Sequence, residues 1–247
     1  MITRMAHERP IVVVKGAGEA GTGVAHHLWL SGYRVLCTDL PRPTVVRRSV
    51  AFATALYDGR ATVDGIQAER ISQADEAYYL WSRETLPVMA DATGRIVGLL
   101  HPEIVIDAIM AGRNLGTQRS DAAYVIALGP GFEAGLDCHA VLGNAAIDSC
   151  HSVWAPSTGI IRGRRAIGDA VRPGDAIASI GTTPVPAGIN GVLRGLIHDG
   201  LLVDAGKRVA DIDPLGDPKR CFTQSEQALA IGVSVLEAVR ALRGALP

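Results

Sequence analysis

Three glycines carry the first hint of chemistry. In GAGEAG, Gly16, Gly18 and Gly21 form a G-x-G-x-x-G pattern between a β-branched run, IVVVK, and a stretch of helical apolar spacing. There the first glycine permits a tight turn and the second lets backbone approach a pyrophosphate. The helix start then supplies free N–H groups and the positive end of its dipole. A generic glycine turn in an α/β fold is the alternative. Asp39 ends the next apolar run, where an acidic residue would grip a ribose hydroxyl. The loop after it, PRPTVVRRSVAF, carries Arg42, Arg47 and Arg48. Arginine forks match phosphate geometry, and a solvated basic loop is the competing reading. A functional arginine loop would point to a nucleotide or dinucleotide more anionic than plain NAD.

Other candidates follow later apolar runs: Asp107, Arg113 and Asn114 in DAIMAGRNLGT, then Gly129 and Gly131 in GPGF, with Asp137 and His139 beyond. Open α/β sheets bind ligands at this edge. His139 beside Cys138 and His151 beside Cys150 match no zinc spacing, so no metal site is expected. Cys221 follows Lys219 and Arg220 and precedes a predicted helix. Positive neighbours and a helix N-terminus lower a thiol pKa, which makes Cys221 the candidate catalytic residue, against the reading of an ordinary cysteine.

These residues need elements to position them. Residues 11–15 read as a buried strand, 20–31 as a helix capped by Gly32, and 33–38 as a second strand, a right-handed β-α-β unit. Residues 86–89, 104–109 and 124–128 read as further strands of the same sheet. An offset of 32 residues aligns residues 159–180 with 191–212, including Gly159/Gly191, Arg162/Arg194, Gly174/Gly206 and Ile180/Ile212. Two such halves resemble the barrel-sandwich hybrid of biotinyl and lipoyl carriers, but the stretch between them, GTTPVPAGIN, has no Lys to modify. The expected fold is α/β: a Rossmann-like parallel sheet domain over 1–155, a barrel-sandwich β-module over 156–214, and a C-terminal region, 215–247, whose helix packs back on the first domain.

The 247 residues carry a formal net charge of -1 and 4% aromatics, which disfavours nucleic acid as a partner. No signal-peptide pattern or long apolar span is present, so no membrane partner and a cytoplasmic location are expected. Four well-separated cysteines argue against a disulfide framework.

The blocks KGAGEAGTGVAHHL, TDLPRPTVVRRSVAF, VIDAIMAGRNLGT, ALGPGFEAGLDCHAV, GVLRGLIHDGLLVDAGKRVADIDP and CFTQSEQALAIGVSVLEAV, in this order, resemble the YqeB-like family. That family comprises accessory proteins of the selenium-dependent molybdenum hydroxylase system. The resemblance implies a role in maturing molybdenum hydroxylases of the xanthine-dehydrogenase type, around the molybdenum cofactor or its selenium or sulfur ligand. It points to residues 16–23, Thr22 among them, and to Arg47, Arg48, Asp107, Arg113, Asn114, residues 129–132, Asp137, His139 and Cys221. The implied ligand is a nucleotide or dinucleotide, molybdopterin dinucleotide or NAD(P), and the implied partner is the hydroxylase apo-enzyme. Two alternatives stay open: an NAD(P)-dependent oxidoreductase with His139 as proton donor, and a non-enzymatic docking scaffold. A homo-oligomer is compatible with each.

Overall fold

The computed structural model describes residues 9–143 and 150–244, so the outer limits of the expected division, 1 and 247, lie outside the described residues. The first elements are β1 (Ile11–Lys15), α1 (Glu19–Leu30), β2 (Arg34–Asp39), α2 (Ala55–Asp58), β3 (Arg60–Val63), β4 (Ile66–Ile71), α3 (Glu76–Ser82), β5 (Leu86–Ala90), α4 (Arg95–Leu100), β6 (Ile104–Asp107), β7 (Tyr124–Leu128) and β8 (Ala140–Leu142). Then come β9 (His151–Trp154), β10 (Gly159–Gly163), β11 (Ala170–Val171), β12 (Ala176–Ile180), β13 (Thr183–Pro186), β14 (Gly191–Leu196), β15 (Leu202–Val203), β16 (Arg208–Asp213) and α5 (Glu226–Gly244).

β6 and β7 are buried along their whole length. That is why such strands read as continuous apolar runs instead of alternating ones. They belong to an eight-stranded sheet in the order β3-β4-β5-β2-β1-β6-β7-β8. Its pairings are parallel except β3 with β4, which run antiparallel. Asp64 and Gly65 join those two with φ of 45° and 84°, the left-handed pair that matches the twist of a tight hairpin. The chain leaves β1 to one side for β2 and reaches β6 on the other. Order therefore reverses at β1, and ligands of open α/β sheets bind outside the strand ends at such a point.

The second unit is a pair of four-stranded antiparallel sheets, β13-β12-β10-β15 and β11-β14-β16-β9. The repeat is visible in its strands, because β10, β11 and β12 recur as β14, β15 and β16. β11 pairs with β14 and β15 pairs with β10, so each half lends a short strand to the other. β9 pairs with β16, so the unit starts earlier than the expected boundary at 156. The expected fold class, a Rossmann-like parallel sheet plus a barrel-sandwich module, is corrected accordingly. The Asp64–Gly65 hairpin makes the large sheet mixed, and the remainder forms two antiparallel sheets.

α5 lies across α1 with backbone against backbone. A Cβ on Gly23 would stand 2.2 Å from the Ala228 carbonyl oxygen, and one on Gly232 would stand 2.3 Å from that of Gly23. Glycine is required here for close approach. Val235, Leu236 and Val239 of α5 then join Val24, Leu28, Val12 and Val14 in the largest apolar core. Among the described residues no helix is long and apolar enough to cross a membrane.

Gly232→Ala is expected to cost about 1–3 kcal/mol through overpacking. Gly98→Ala in α4, where an added methyl meets nothing within 4 Å, is expected to be neutral or to stabilise by up to about 1 kcal/mol. Urea unfolding of the two variants checks this, and equal effects would refute the glycine contact between α1 and α5.

Candidate functional site: a cleft at the end of β1

A cleft of about 520 Å³ opens where the sheet order reverses, a size usual for small-molecule sites. Lys15, Gly16 and Ala108 line it at the ends of β1 and β6. The first turn of α1, the loop after β2 and residues 91–94 after β5 contribute further sides, and Lys207 and Arg208 reach it from the second unit.

The glycine loop is held from several directions. Gly16 has φ of 94°, and a Cβ there would lie 2.6 Å from the Ala108 carbonyl oxygen. Gly21 sits against the Gly16 carbonyl oxygen, which a Cβ would approach to 1.7 Å. Gly18 caps α1 without a side-chain partner. The N–H groups of Gly18, Glu19 and Ala20 have no acceptor among the described residues, and all three residues line the cleft. The positive end of a 12-residue helix is thus directed at this space.

Asp39 also lines the cleft, but its Oδ2 accepts from the Ala17 N–H at 2.8 Å and its Oδ1 from the Leu40 N–H at 2.8 Å. It fastens the glycine loop to β2. Burial raises its pKa above the usual carboxylate value, while those two N–H groups pull it back.

Sequence reasoning missed Lys15. Its Nζ donates to Thr117 Oγ1 at 2.7 Å, and that hydroxyl donates to Asp107 Oδ2 at 2.6 Å. Asp121 Oδ2 lies 3.6 Å from the same ammonium. A Cβ on Gly94 would be 3.3 Å from Lys15 Cε, so the lysine stem lies along that glycine. The available signal was position alone: the last residue of the strand that enters the glycine turn. Asp91 was missed as well. Burial pushes its carboxyl up, but the N–H groups of Ile96, Thr93 and Arg95 outweigh this and hold the pKa below the ordinary value.

Several expected ligands have other work. Arg47 is buried, donating from Nε to Asp211 Oδ2 at 3.0 Å and from Nη1 to Glu19 Oε2 at 2.9 Å. Burial alone would lower its pKa, but those carboxylates raise it, and the guanidinium stays charged. Arg48 donates to the Leu196 carbonyl at 3.0 Å, and Arg42 to the Gly200 carbonyl at 2.7 Å. Arg42 and Arg48 are therefore corrected from a phosphate grip to a clasp on the second unit, while Arg47, paired with Asp211 and Glu19, also lines the cleft. Thr22 is fully buried, donating to the Ala17 carbonyl and accepting from the Phe52 N–H. Asp107 lies beneath the cleft and orients Thr117 for Lys15.

The remaining candidates do not line the cleft. Asn114 closes its own turn on Gly116 and Thr117. Gly131 packs on the backbone of Arg113, and the Gly129 N–H donates to the Leu142 carbonyl. Asp137 accepts from the Glu133 N–H at 2.8 Å. His139 Nδ1 accepts from the Val125 N–H at 2.9 Å, and burial, aided by Arg119, lowers its pKa. The reactive-thiolate expectation for Cys221 is overturned. Its side chain is buried, burial raises its pKa, and Arg194 does not compensate. Arg220 turns to Asp213 at 2.8 Å, and α5 begins only at Glu226.

These features define an α/β protein with a donor-rich cleft at a sheet reversal, closed by an antiparallel β-unit. The chain is 40% identical to the uncharacterized protein YqeB of Escherichia coli (strain K12) over 257 residues, covering 94% of this chain and 48% of that one. The chain spans about half the length of that relative. No family model matches. Among solved structures, the product-bound ectoine utilization protein EutE (DoeB) of Ruegeria pomeroyi is 12% identical with a TM-score of 0.27, over 83% of this chain and 85% of that chain. An aspartoacylase family protein of Mesorhizobium loti is 11% identical with a TM-score of 0.28 over the same shares, 83% and 85%. Likeness at that level carries no argument about chemistry.

Arg47→Ala is expected to cost about 3–5 kcal/mol, because it removes one partner of a buried ion pair. Arg60→Ala, which removes a pair whose arginine is 79% exposed, is expected to cost less than about 1 kcal/mol. Chemical denaturation of both compares them. In the native protein, iodoacetamide should modify half-buried Cys150 before buried Cys37, Cys138 and Cys221; rapid native labelling of Cys221, read by peptide mass, would restore the reactive-thiol reading.

Proposed function

We propose that the cleft binds a nucleotide-type polyanion, a molybdopterin dinucleotide or a nicotinamide dinucleotide. In this reading the chain serves as an accessory protein in the maturation of molybdenum hydroxylases, holding or delivering the cofactor for the apo-enzyme. The observation that carries it is a surplus of donors in one cleft: three N–H groups at the start of α1, without acceptors among the described residues, beside the Lys15 ammonium. Phosphate oxygens supply charged acceptors for such donors. Glu19, Asp39 and Asp91 share the space; backbone N–H groups occupy the oxygens of Asp39 and Asp91, and Arg47 neutralises Glu19.

The family resemblance supports the hydroxylase as partner. Cys221 lends no support to a sulfur or selenium step, because it is buried away from the cleft. His139, the proton donor that hydride transfer would have used, does not line the cleft either, so the oxidoreductase reading ranks below cofactor binding. A docking scaffold would use the Lys-free repeat unit, and that unit also lends Lys207 and Arg208 to the cleft.

Calorimetry with molybdopterin dinucleotides, NAD, NADP and mononucleotides tests the proposal. Lys15→Met, which keeps the stem along Gly94, is expected to weaken phosphate-bearing ligands about ten-fold or more, the scale of a charge-assisted hydrogen bond. Absence of binding by every member of the panel, or unchanged affinity in a folded Lys15→Met protein, would remove it.

A further inference from the structure

The cleft is built from two units, and the second contributes cations. Lys207 and Arg208, at the start of β16, line the same space as the first turn of α1. The two cations differ in freedom. Arg208 is committed to Asp211, donating from Nε to Oδ1 at 2.7 Å and from Nη2 to Oδ2. Lys207 is exposed, and among the described residues its ammonium touches only Thr44 Oγ1, at 3.3 Å. Thr44 lies in the loop after β2 and lines the cleft too, so Lys207 reaches from one unit to the other across it.

An ammonium carries three donors and no acceptor. Lys15 and Lys207 each give one hydrogen bond to a threonine hydroxyl. Lys15 also faces Asp121 Oδ2 at 3.6 Å, so it keeps one N–H for a ligand from β1, while Lys207 keeps two from the approach to β16. The N–H groups at the start of α1 add donors beside Lys15. A ligand with two linked phosphates offers acceptors for more of these donors than a single phosphate does.

From this geometry we infer that the β-unit contributes part of the ligand site, and that Lys207 selects ligands with a bridging diphosphate over monophosphates. The inference rests on the phosphate reading of the cleft given above and narrows its substrate class to dinucleotide-type diphosphate esters. It also assigns the second unit a role in recognition in addition to its structural one.

The test uses AMP and ADP-ribose as probes in calorimetry with the whole chain. Wild type should bind ADP-ribose more tightly than AMP. Lys207→Ala should weaken ADP-ribose about five-fold, the upper range for an exposed charge pair, and leave AMP within about two-fold. The salt dependence of ADP-ribose binding should also become shallower in the variant. Lys207 lies outside the core, so the variant should keep the wild-type unfolding midpoint. Equal weakening of both probes, or none for either, overturns the role of Lys207 while leaving the phosphate cleft intact. Failure of wild type to bind either probe overturns this inference, while the phosphate reading itself stands or falls with the wider panel of dinucleotides and mononucleotides.

Discussion

One buried guanidinium holds the arrangement together. Arg47 joins three segments distant in sequence: its own loop after β2, Glu19 in the first turn of α1, and Asp211 in the middle of β16. Asp211 is fully buried and a lone buried carboxylate is costly, so the pairing with Arg47 and Arg208 is obligatory once β16 packs there. Because Glu19 sits at the start of α1, the same contact sets where the helix terminus lies relative to the second unit. The cleft is the space left between them.

Glycines then determine how closely backbone can approach around that contact. Gly16 and Gly21 let the turn fold onto Ala108 and onto itself, which aims the start of α1 at the strand edge. Gly23, within the same sequence block, serves a different purpose by admitting α5. One glycine-rich stretch therefore fixes α1 at both its cleft end and its packed face. Opposite, Gly195 lets Val46 approach β14, where a Cβ would stand 2.8 Å from Val46 Cγ1, and this seats the arginine loop on the second unit.

Much of the framework was legible from spacing. The strand, glycine turn and helix at the start follow from local patterns, as do the buried strands β6 and β7 and the long terminal helix. The repeat was visible because identical turn glycines recur at a constant offset. The Asp64–Gly65 hairpin was also legible in principle, since an Asp-Gly pair between short alternating runs is a strong turn signal. Reading it would have anticipated a mixed sheet. The glycines and Asp39 could be picked out because their patterns are local, but Asp39, expected to grip a ribose, instead fastens the glycine loop. The partners of Arg47 and Arg48 were not legible because they lie more than 140 residues away, and burial reversed the electrostatics expected of Cys221.

The sequence by itself determined the local geometry: a glycine turn, a helix whose first N–H groups lack partners, and a repeated antiparallel unit. These depend on conformational preferences and side-chain periods that act over a few residues. Only the tertiary structure decided which charged groups are free. Burial and long-range pairing committed Arg47 to Asp211 and shut Cys221 away, while leaving Lys15 and Lys207 with donors to offer. A charge takes its role from the dielectric and the partners around it, and distant segments supply both only after the chain has folded.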